Sequence, residues 1–193
     1  LKEWERYNYE WAGKYIIFLP WHFPLHDNAN ISGASKTAEK AFKEKYPVLY
    51  SWMVQHKEKL RARNSAEVGF RYEWYALQRC AATYYKDFAK EKIIYKDIAQ
   101  NLTFALEDGT HYLANTAYFL QSSNNKVLLA ILNSKLIDWY YRSISAQLGE
   151  RGIRHFSIYI EQLPIVEVPI KQQKMLIELV EAIGNIKKSK LSS

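Results

Sequence analysis

The chain has 193 residues, of which 48% are hydrophobic and 24% are charged, and its formal net charge is +7. This hydrophobic content excludes a disordered chain and allows a sizeable core, in one domain or two small ones. A basic surface favours polyanions, so the charge indicates nucleic acid or an anionic membrane surface as the partner.

The single cysteine, Cys80, cannot form an internal disulfide, which indicates a reducing, cytoplasmic location. No apolar run approaches the ~18 residues of a membrane span, and no signal peptide opens the chain. The chain begins at Leu1 rather than at Met. We therefore expect a fragment of a longer protein, whose chemistry lies elsewhere.

The sequence pattern of the first third of the chain predicts one strand and two helices. Lys14 to Pro20 is a short apolar run ended by proline, which is typical of a strand. Ser35 is a candidate cap for a short helix, and Pro47 suits the first turn of a second helix that extends to Arg63. The apolar stripe of this second helix is Val48, Leu49, Trp52, Met53 and Leu60.

Four basic residues crowd the end of the second helix, namely Lys57, Lys59, Arg61 and Arg63. The helix dipole favours positive charge at a C-terminus, so a solvated helix end is one interpretation. Contact with nucleic-acid phosphates is the other, and the basic net charge of the chain keeps both open.

The middle of the chain predicts strands around a tight turn. A linker at 64–69 precedes an aromatic-rich stretch, 72–85, in which we expect a short helix. Residues 92–99 are typical of a strand. Two further β-type runs flank Asp108-Gly109, a pair typical of a two-residue hairpin turn.

The stretch from Val127 to Ile165 predicts a helix, a charged loop and a strand. Apolar residues recur at intervals of three and four from Leu128 to Ile144, which indicates one helix with a buried face. The pattern stops at the loop Gly149-Glu150-Arg151-Gly152, and 153–160 is predicted to be a strand. A loop framed by two rigid elements suits the binding of a polar partner.

Residues 171–188 predict a C-terminal amphipathic helix. The chain is therefore predicted to be α+β, with small mixed or antiparallel sheets, a hairpin at Asp108-Gly109 and several packing helices. We expect a single domain over 1–193 with three sub-parts, 1–70, 71–169 and 170–193.

Sequence patterns of common catalytic sites are missing. The chain has no glycine-rich phosphate loop, no methyl-donor turn and no Pro-Pro base-flipping loop, and no acidic residue stands two positions before a lysine as in common metal-dependent nucleases. Pro24 lies between His22 and His26 and disfavours a helical metal-binding pair. We predict no catalytic residue, metal ligand or cofactor in this chain.

The loop and its following strand offer side chains suited to reading bases, namely Gln147, Glu150, Arg151, Arg154 and His155. Arginine pairs with guanine, glutamine with adenine, and glutamate accepts from cytosine, whereas a purely electrostatic site would carry lysine and arginine alone. A solvated loop, with a surface ion pair from Glu150 to one of the arginines, is the alternative interpretation.

Five segments in this order resemble the TaqI-like C-terminal specificity domain. They are the basic helix at 46–63, WYALQ at 74–78, EKIIYKDIA at 91–99, the β-type runs at 104–120, and LNSKL at 132–136 with the later Leu163-Pro164. The resemblance covers roughly residues 14–183. It leaves the stretch at 21–33 without an assigned role.

The resemblance implies the target-recognition domain of a bacterial DNA adenine methyltransferase, or of a restriction enzyme fused to one. Its partners would be double-stranded DNA and a catalytic domain of the same polypeptide, which would use S-adenosylmethionine and extrude the target adenine. This fragment would not itself be an enzyme. The loop at 147–155 would face the major groove, and the basic helix end would contact phosphate.

The alternative function is a specificity-subunit-like interaction or scaffold domain. Its C-terminal helix would then bind a partner, although the apolar stripe of that helix suits docking within the chain equally well.

Overall fold

A computed structural model describes residues 4–80, 84–146, 148–149 and 152–191. These residues form seven α-helices and seven short strands, which confirms the predicted α+β class. The helices are α1 (Lys36–Lys45), α2 (Pro47–Val54), α3 (Lys57–Arg61), α4 (Asn125–Leu132), α5 (Lys135–Ile144), α6 (Ser157–Ile160) and α7 (Ile170–Leu191). The strands are β1 (Trp4–Glu5), β2 (Asn8–Tyr9), β3 (Lys92–Lys96), β4 (Ile98–Ala99), β5 (Phe104–Glu107), β6 (Ala117–Leu120) and β7 (Ile153–Arg154). None of the helices in the described residues has both the length and the apolar character that a membrane crossing needs.

The chain divides into two compact units, one of residues 15–85 and one of residues 1–14 with 86–193. These limits differ from the predicted sub-parts, which ended at residues 70 and 169. The N-terminus joins the second unit because the Tyr7 N–H donates to the Phe104 carbonyl at 2.9 Å. The C-terminal helix joins it because α7 packs along α4.

In the unit of residues 15–85, the first two helices begin where the sequence predicts. The Ser35 hydroxyl accepts from the Ala38 N–H at 3.1 Å, and Pro47 occupies the first turn of α2. The single helix predicted to run on to Arg63 is wrong, because α2 ends at Val54. There the His56 N–H donates to the Met53 carbonyl at 3.0 Å, an i to i−3 bond that tightens the backbone and separates α3.

The strand predicted at 14–20 does not form, and Tyr15, Ile16 and Ile17 are exposed. Residues 72–80 are turns rather than the predicted helix, and a 3-10 helix begins at Tyr85. Five consecutive residues from 72 to 76 are buried, and one face of a helix could not bury them all. Irregular backbone is therefore needed to turn every one of these side chains inward.

A buried carboxylate holds this irregular segment in place. Glu73 accepts from the N–H groups of His22 at 2.7 Å and Ser35 at 2.9 Å, and it also bonds the His22 ring at 2.9 Å. Around it lies the apolar core of the unit, which consists of Leu19, Phe42, Met53, Val68, Tyr72, Trp74, Tyr75 and Ala76.

The second unit is built on a three-stranded antiparallel sheet in the order β5-β3-β6. Central residue Ile93 is opposite both Leu106 and Leu120. The two-residue hairpin predicted at Asp108-Gly109 is therefore wrong. The flanking runs are strands, but β3 lies between them, so the connecting loop has to pass from one side of β3 to the other.

A second buried carboxylate organises that loop. Glu107 accepts from the N–H groups of Gly109, Thr110 and His111, each at 3.0 Å. It also pairs with the ammonium of Lys92, and both side chains are 0% exposed. The N–H groups of the loop thus donate to a carboxylate, whereas in a tight hairpin the backbone groups of the two strands would bond to each other.

The one helix predicted over Leu128 to Ile144 is wrong as well, because two helices meet at Asn133-Ser134. The Asn133 side chain bonds the backbone of Phe104 twice, donating to its carbonyl at 2.9 Å and accepting from its N–H at 3.1 Å. Ser134 then caps α5 by accepting from the Ile137 N–H at 3.2 Å. The LNSKL motif therefore joins the helical layer to the edge of β5.

The strand predicted over 153–160 is reduced to β7, and α6 follows it. Arg154 in β7 is opposite Ile98 in β4, and these two strands form a separate two-stranded sheet that follows β3 after a bend at Asp97. The predicted C-terminal helix is confirmed as α7, with Val180 in the core. That core consists of Ile93, Tyr95, Leu102, Phe104, Leu129, Leu132, Ile137, Tyr141, Ile153, Leu163 and Val180.

We expect Lys92→Met to lower the free energy of unfolding by about 3–5 kcal/mol, because it leaves the buried Glu107 carboxylate without its counter-charge. Lys90 is the matched control, since it pairs with Asp87 at the surface of the same unit. Lys90→Met should cost less than about 1 kcal/mol. Urea unfolding of the two variants measures the difference, and equal losses would contradict a stabilising role for the buried pair.

Candidate functional site

Two backbone hydrogen bonds join the two ends of the loop that is predicted to read bases. The Leu148 N–H donates to the Gly152 carbonyl at 2.8 Å, and the Arg154 N–H donates to the Ala146 carbonyl at 3.4 Å. Three of its candidate residues, Gln147, Glu150 and Arg151, lie outside the described residues. The described part of the site is therefore the base of the loop, which comprises Ala146, Leu148, Gly149 and residues 152–155.

Gly152 fixes the position of this base against β4. Its φ is +100°, and a Cβ at this position would lie 2.6 Å from the Ala99 carbonyl oxygen. Only glycine accommodates both the left-handed backbone and the close approach. The chain therefore enters β7 at a defined point, one residue before the Ile153–Ala99 pair.

Arg154 is held on two sides. Its Nε lies 3.3 Å from Asp97 Oδ1 and its Nη2 lies 3.5 Å from Asp97 Oδ2. The guanidinium carbon lies 4.6 Å from the centre of the Phe156 ring, in a cation–π arrangement. The side chain is nevertheless 43% exposed. One edge of the guanidinium is thus engaged by Asp97 and the group also contacts Phe156, while part of the side chain remains open to solvent.

Asp97 is fixed by hydrogen bonds of its backbone at the bend between β3 and β4. It is the one residue between β3 and β4. Its N–H donates to the Thr116 carbonyl at 2.9 Å, and its own carbonyl accepts from the His155 N–H at 2.6 Å. Its carboxylate also accepts from the Tyr118 hydroxyl at 3.5 Å, and the side chain is only 15% exposed. The position of Asp97, the partner of Arg154, is thus determined by hydrogen bonds of its own backbone.

A surface cavity of about 280 Å³ lies beside Asp97. It is lined by Lys96, Asp97, Ile98, Tyr112, Leu113, Ala114, Thr116 and Ala117. The loop between β5 and β6 supplies much of this lining, so the carboxylate of Glu107 that organises the loop also shapes the cavity. The residues that combine charge, partial exposure and a fixed frame are therefore concentrated around Asp97 and Arg154.

His155 was expected among the base-reading side chains, and the structure corrects this. The ring is 1% exposed, and its Nδ1 lies 2.8 Å from the Lys96 carbonyl, which fits a neutral ring donating from Nδ1. Its Nε2 is buried without a hydrogen-bond partner, and burial lowers the pKa of the ring. His155 therefore belongs to the buried interior of its unit and not to a surface that DNA could contact.

The four basic residues at 57–63 separate into two pairs. Lys57 pairs with Glu39 at 3.6 Å and lies over the Trp74 ring at 4.8 Å. Arg63 donates to the carbonyls of Trp74 and Ala76 at 3.0 Å and 2.8 Å. These two residues therefore stabilise the unit that carries them, whereas Lys59 and Arg61 are exposed on α3.

Among the described residues, Glu107, Asp108 and His111 form a group with the composition of a metal site, and their ligand atoms lie within 4.8 Å of one another. The Glu107 carboxylate is already occupied by Lys92 and by three loop N–H groups. His111 Nδ1 bonds the same carboxylate at 2.9 Å. This arrangement explains the loop conformation without an ion.

Sequence reasoning missed Asp97 and Phe156. The available signal for Asp97 was an aspartate within the strand-like segment KIIYKDIA, because aspartate is depleted in strands. Phe156 gave no such signal, because an aromatic residue after Arg-His is ordinary in a strand-like segment.

The sequence model of the TaqI-like C-terminal specificity domain family matches residues 2–165 of the chain. A search of the curated proteins returns no match. The matched range includes the surroundings of Arg154 and the exposed residues of α3, and it ends before α7.

We expect the burial of His155 to make stability depend on pH. The folded-state pKa lies below the unfolded value of about 6.5, so the stabilising contribution is complete above that pH and is lost as the pH falls below it. Between pH 7.5 and pH 5.5, the free energy of unfolding should therefore fall more in the wild type than in His155→Gln, whose amide can still donate to the Lys96 carbonyl. Urea unfolding at both pH values measures this, and parallel losses would refute the assignment.

Proposed function

The chain belongs to the TaqI-like C-terminal specificity domain family, and from this premise we propose that it reads a short, specific sequence in double-stranded DNA. Members of this family serve DNA target recognition in restriction-modification proteins. Catalysis would belong to an adenine methyltransferase domain of the same bacterial, cytoplasmic protein, which would bind S-adenosylmethionine and extrude the target adenine. The present chain would position the duplex for that reaction.

The observation that carries the proposal is the arrangement of Arg154. Its guanidinium is held by Asp97 and Phe156, and the side chain as a whole is still 43% exposed. A surface arginine with no role would gain little from such restraint, since exposed ion pairs contribute only about 0–1 kcal/mol. Restraint of a rotamer-rich side chain before binding reduces the entropy lost on binding.

The other reading residues stay those of the loop, Gln147, Glu150 and Arg151. His155 is not among the proposed reading residues, because its ring is buried. Phosphate contacts are assigned to Lys59 and Arg61, since the remaining two basic residues of that segment are engaged within the protein. Base contacts would then supply sequence preference, and phosphate contacts would supply affinity that depends on salt.

We expect Arg154→Ala to reduce discrimination at one base pair by about 1–3 kcal/mol while preference at other positions is kept. The preferred duplex is first selected from a random-sequence DNA library with the 193-residue chain. Dissociation constants are then measured for that duplex and for variants in which each base pair is replaced in turn.

The contrasting variant is Arg61→Ala. It should weaken binding to all duplexes to a similar extent and lower the slope of log K against log salt by about 1. If Arg154→Ala behaved in this uniform way instead, its assignment to base reading would be wrong.

A second function, association through α7, is favoured by a separate observation. Met175, Leu179, Ala182 and Ile186 recur at intervals of four, three and four on α7 and are all exposed, while Val180 on another face is buried. This spacing is that of a coiled-coil seam. The helix would then dock within the chain by one face and bind a partner helix by the other.

Under this second function, the chain should self-associate, and replacing Met175, Leu179 and Ile186 together by glutamate should reduce its mass in light scattering to that of a monomer. The circular dichroism spectrum should stay unchanged because all three side chains are exposed. The matched control is Val180→Ala, a buried residue on the inner face, which should lower stability and leave any oligomer intact. A monomeric wild type would rule out self-association.

A further inference from the structure

The guanidinium of Arg154 is engaged along one edge, and the side chain remains partly exposed. Its Nε and Nη2 lie against the two oxygens of Asp97, and its central carbon lies 4.6 Å from the centre of the Phe156 ring. A guanidinium has five N–H donors in a fixed fork. Since the Nε and Nη2 edge is bonded to a carboxylate, the pair of donors that Asp97 leaves unengaged is the one on the end formed by the two Nη atoms.

The ion pair also changes what the arginine prefers to bind. An unpaired arginine is attracted to every phosphate of a duplex, whereas an arginine beside a carboxylate forms a pair with no net charge. Its attraction to phosphate is reduced, but its unengaged N–H donors keep their geometry. Such a group gains most from a ligand that offers two acceptors side by side without a full negative charge.

Guanine is the base that offers two adjacent acceptors without a full negative charge, because it presents N7 and O6 in the major groove. Adenine offers one acceptor and one donor there, cytosine offers a donor, and thymine offers one acceptor beside a methyl group. A fork of donors alone is therefore matched by guanine and left partly unpaired by the other three.

We propose that Asp97 is a positioning residue that orients Arg154 to read a guanine, so that the recognised sequence contains a G at the position Arg154 contacts. This inference rests on the proposed DNA-recognition function. Asp97 does not itself touch the base. It acts by holding the guanidinium edge and by cancelling the charge that would otherwise favour phosphate.

The test extends the binding panel to Asp97→Asn, Asp97→Ala and Arg154→Lys, each measured with the selected duplex and its single-base-pair replacements. The wild type should prefer G at one position by roughly tenfold to a hundredfold. Asp97→Asn, Asp97→Ala and Arg154→Ala should all lose that preference and keep the others. Arg154→Lys should not restore it, because an ammonium cannot bond two acceptors as a fork does.

Binding to duplexes that lack this G gives a readout that a merely structural role would not produce. Asp97→Asn should bind such duplexes as tightly as the wild type or more tightly, with a steeper salt dependence, because the released arginine can contact phosphate. Asp87→Asn is the matched control, since it removes the surface pair with Lys90 and leaves Arg154 untouched. Asp87→Asn should leave the dissociation constants for the selected duplex and its replacements unchanged.

The possible outcomes separate the two proposals. If Arg154→Ala removes a preference but both Asp97 variants retain it, the positioning role is overturned and DNA recognition stands. If the lost preference is for a base other than guanine, the assignment of guanine is overturned. If the wild type selects no sequence from the library, DNA recognition by this chain is itself overturned. Thermal melting of each variant identifies any that fail to fold, and Asp97→Asn, which keeps the side-chain size, then carries the test.

Discussion

The segment from Lys92 to Ala99, which is two strands with a bend at Asp97 between them, is the constraint on which the larger unit depends. As β3 it pairs on both sides, with β5 and β6, and after Asp97 it continues as β4 to pair with β7. A strand with two neighbours forces the chain segments beside it apart. The strands on either side of Asp108-Gly109 therefore cannot close on each other, and their connecting loop needs the carboxylate of Glu107 to satisfy its amides.

The same segment links the sheet to the candidate site. Asp97 occupies the one-residue interruption between β3 and β4, and its backbone is bonded on both sides, to Thr116 and to His155. The backbone that carries the Asp97 carboxylate is therefore held on both sides. Since a reading side chain must be placed to within a fraction of an ångström, a support whose backbone is hydrogen-bonded between two strands is more precise than one carried by a free loop.

Charged residues in this chain fall into two classes with different physical roles. The buried carboxylates, such as those of Glu73 and Glu107, accept hydrogen bonds from backbone N–H groups in irregular segments, where no helix or sheet partner is available. Those at the surface, such as Lys59 and Arg61, have no such task in the described structure. The net charge of +7 is thus a poor guide to which residues meet a polyanion, because several cations serve the fold.

The sequence by itself determined the elements whose signals are local. The cap at Ser35, the proline at the start of α2 and the amphipathic C-terminal helix follow from side chains within a few residues of one another. So does the α+β class, and the ordered motifs indicated the family. Tertiary structure decided the rest. The division of the predicted helix depends on Asn133 bonding a strand 29 residues away in sequence, and the pairing of Arg154 depends on an aspartate 57 residues earlier. Neither partner is visible in a local pattern, because hydrogen bonds between distant residues are set by packing and not by spacing along the chain.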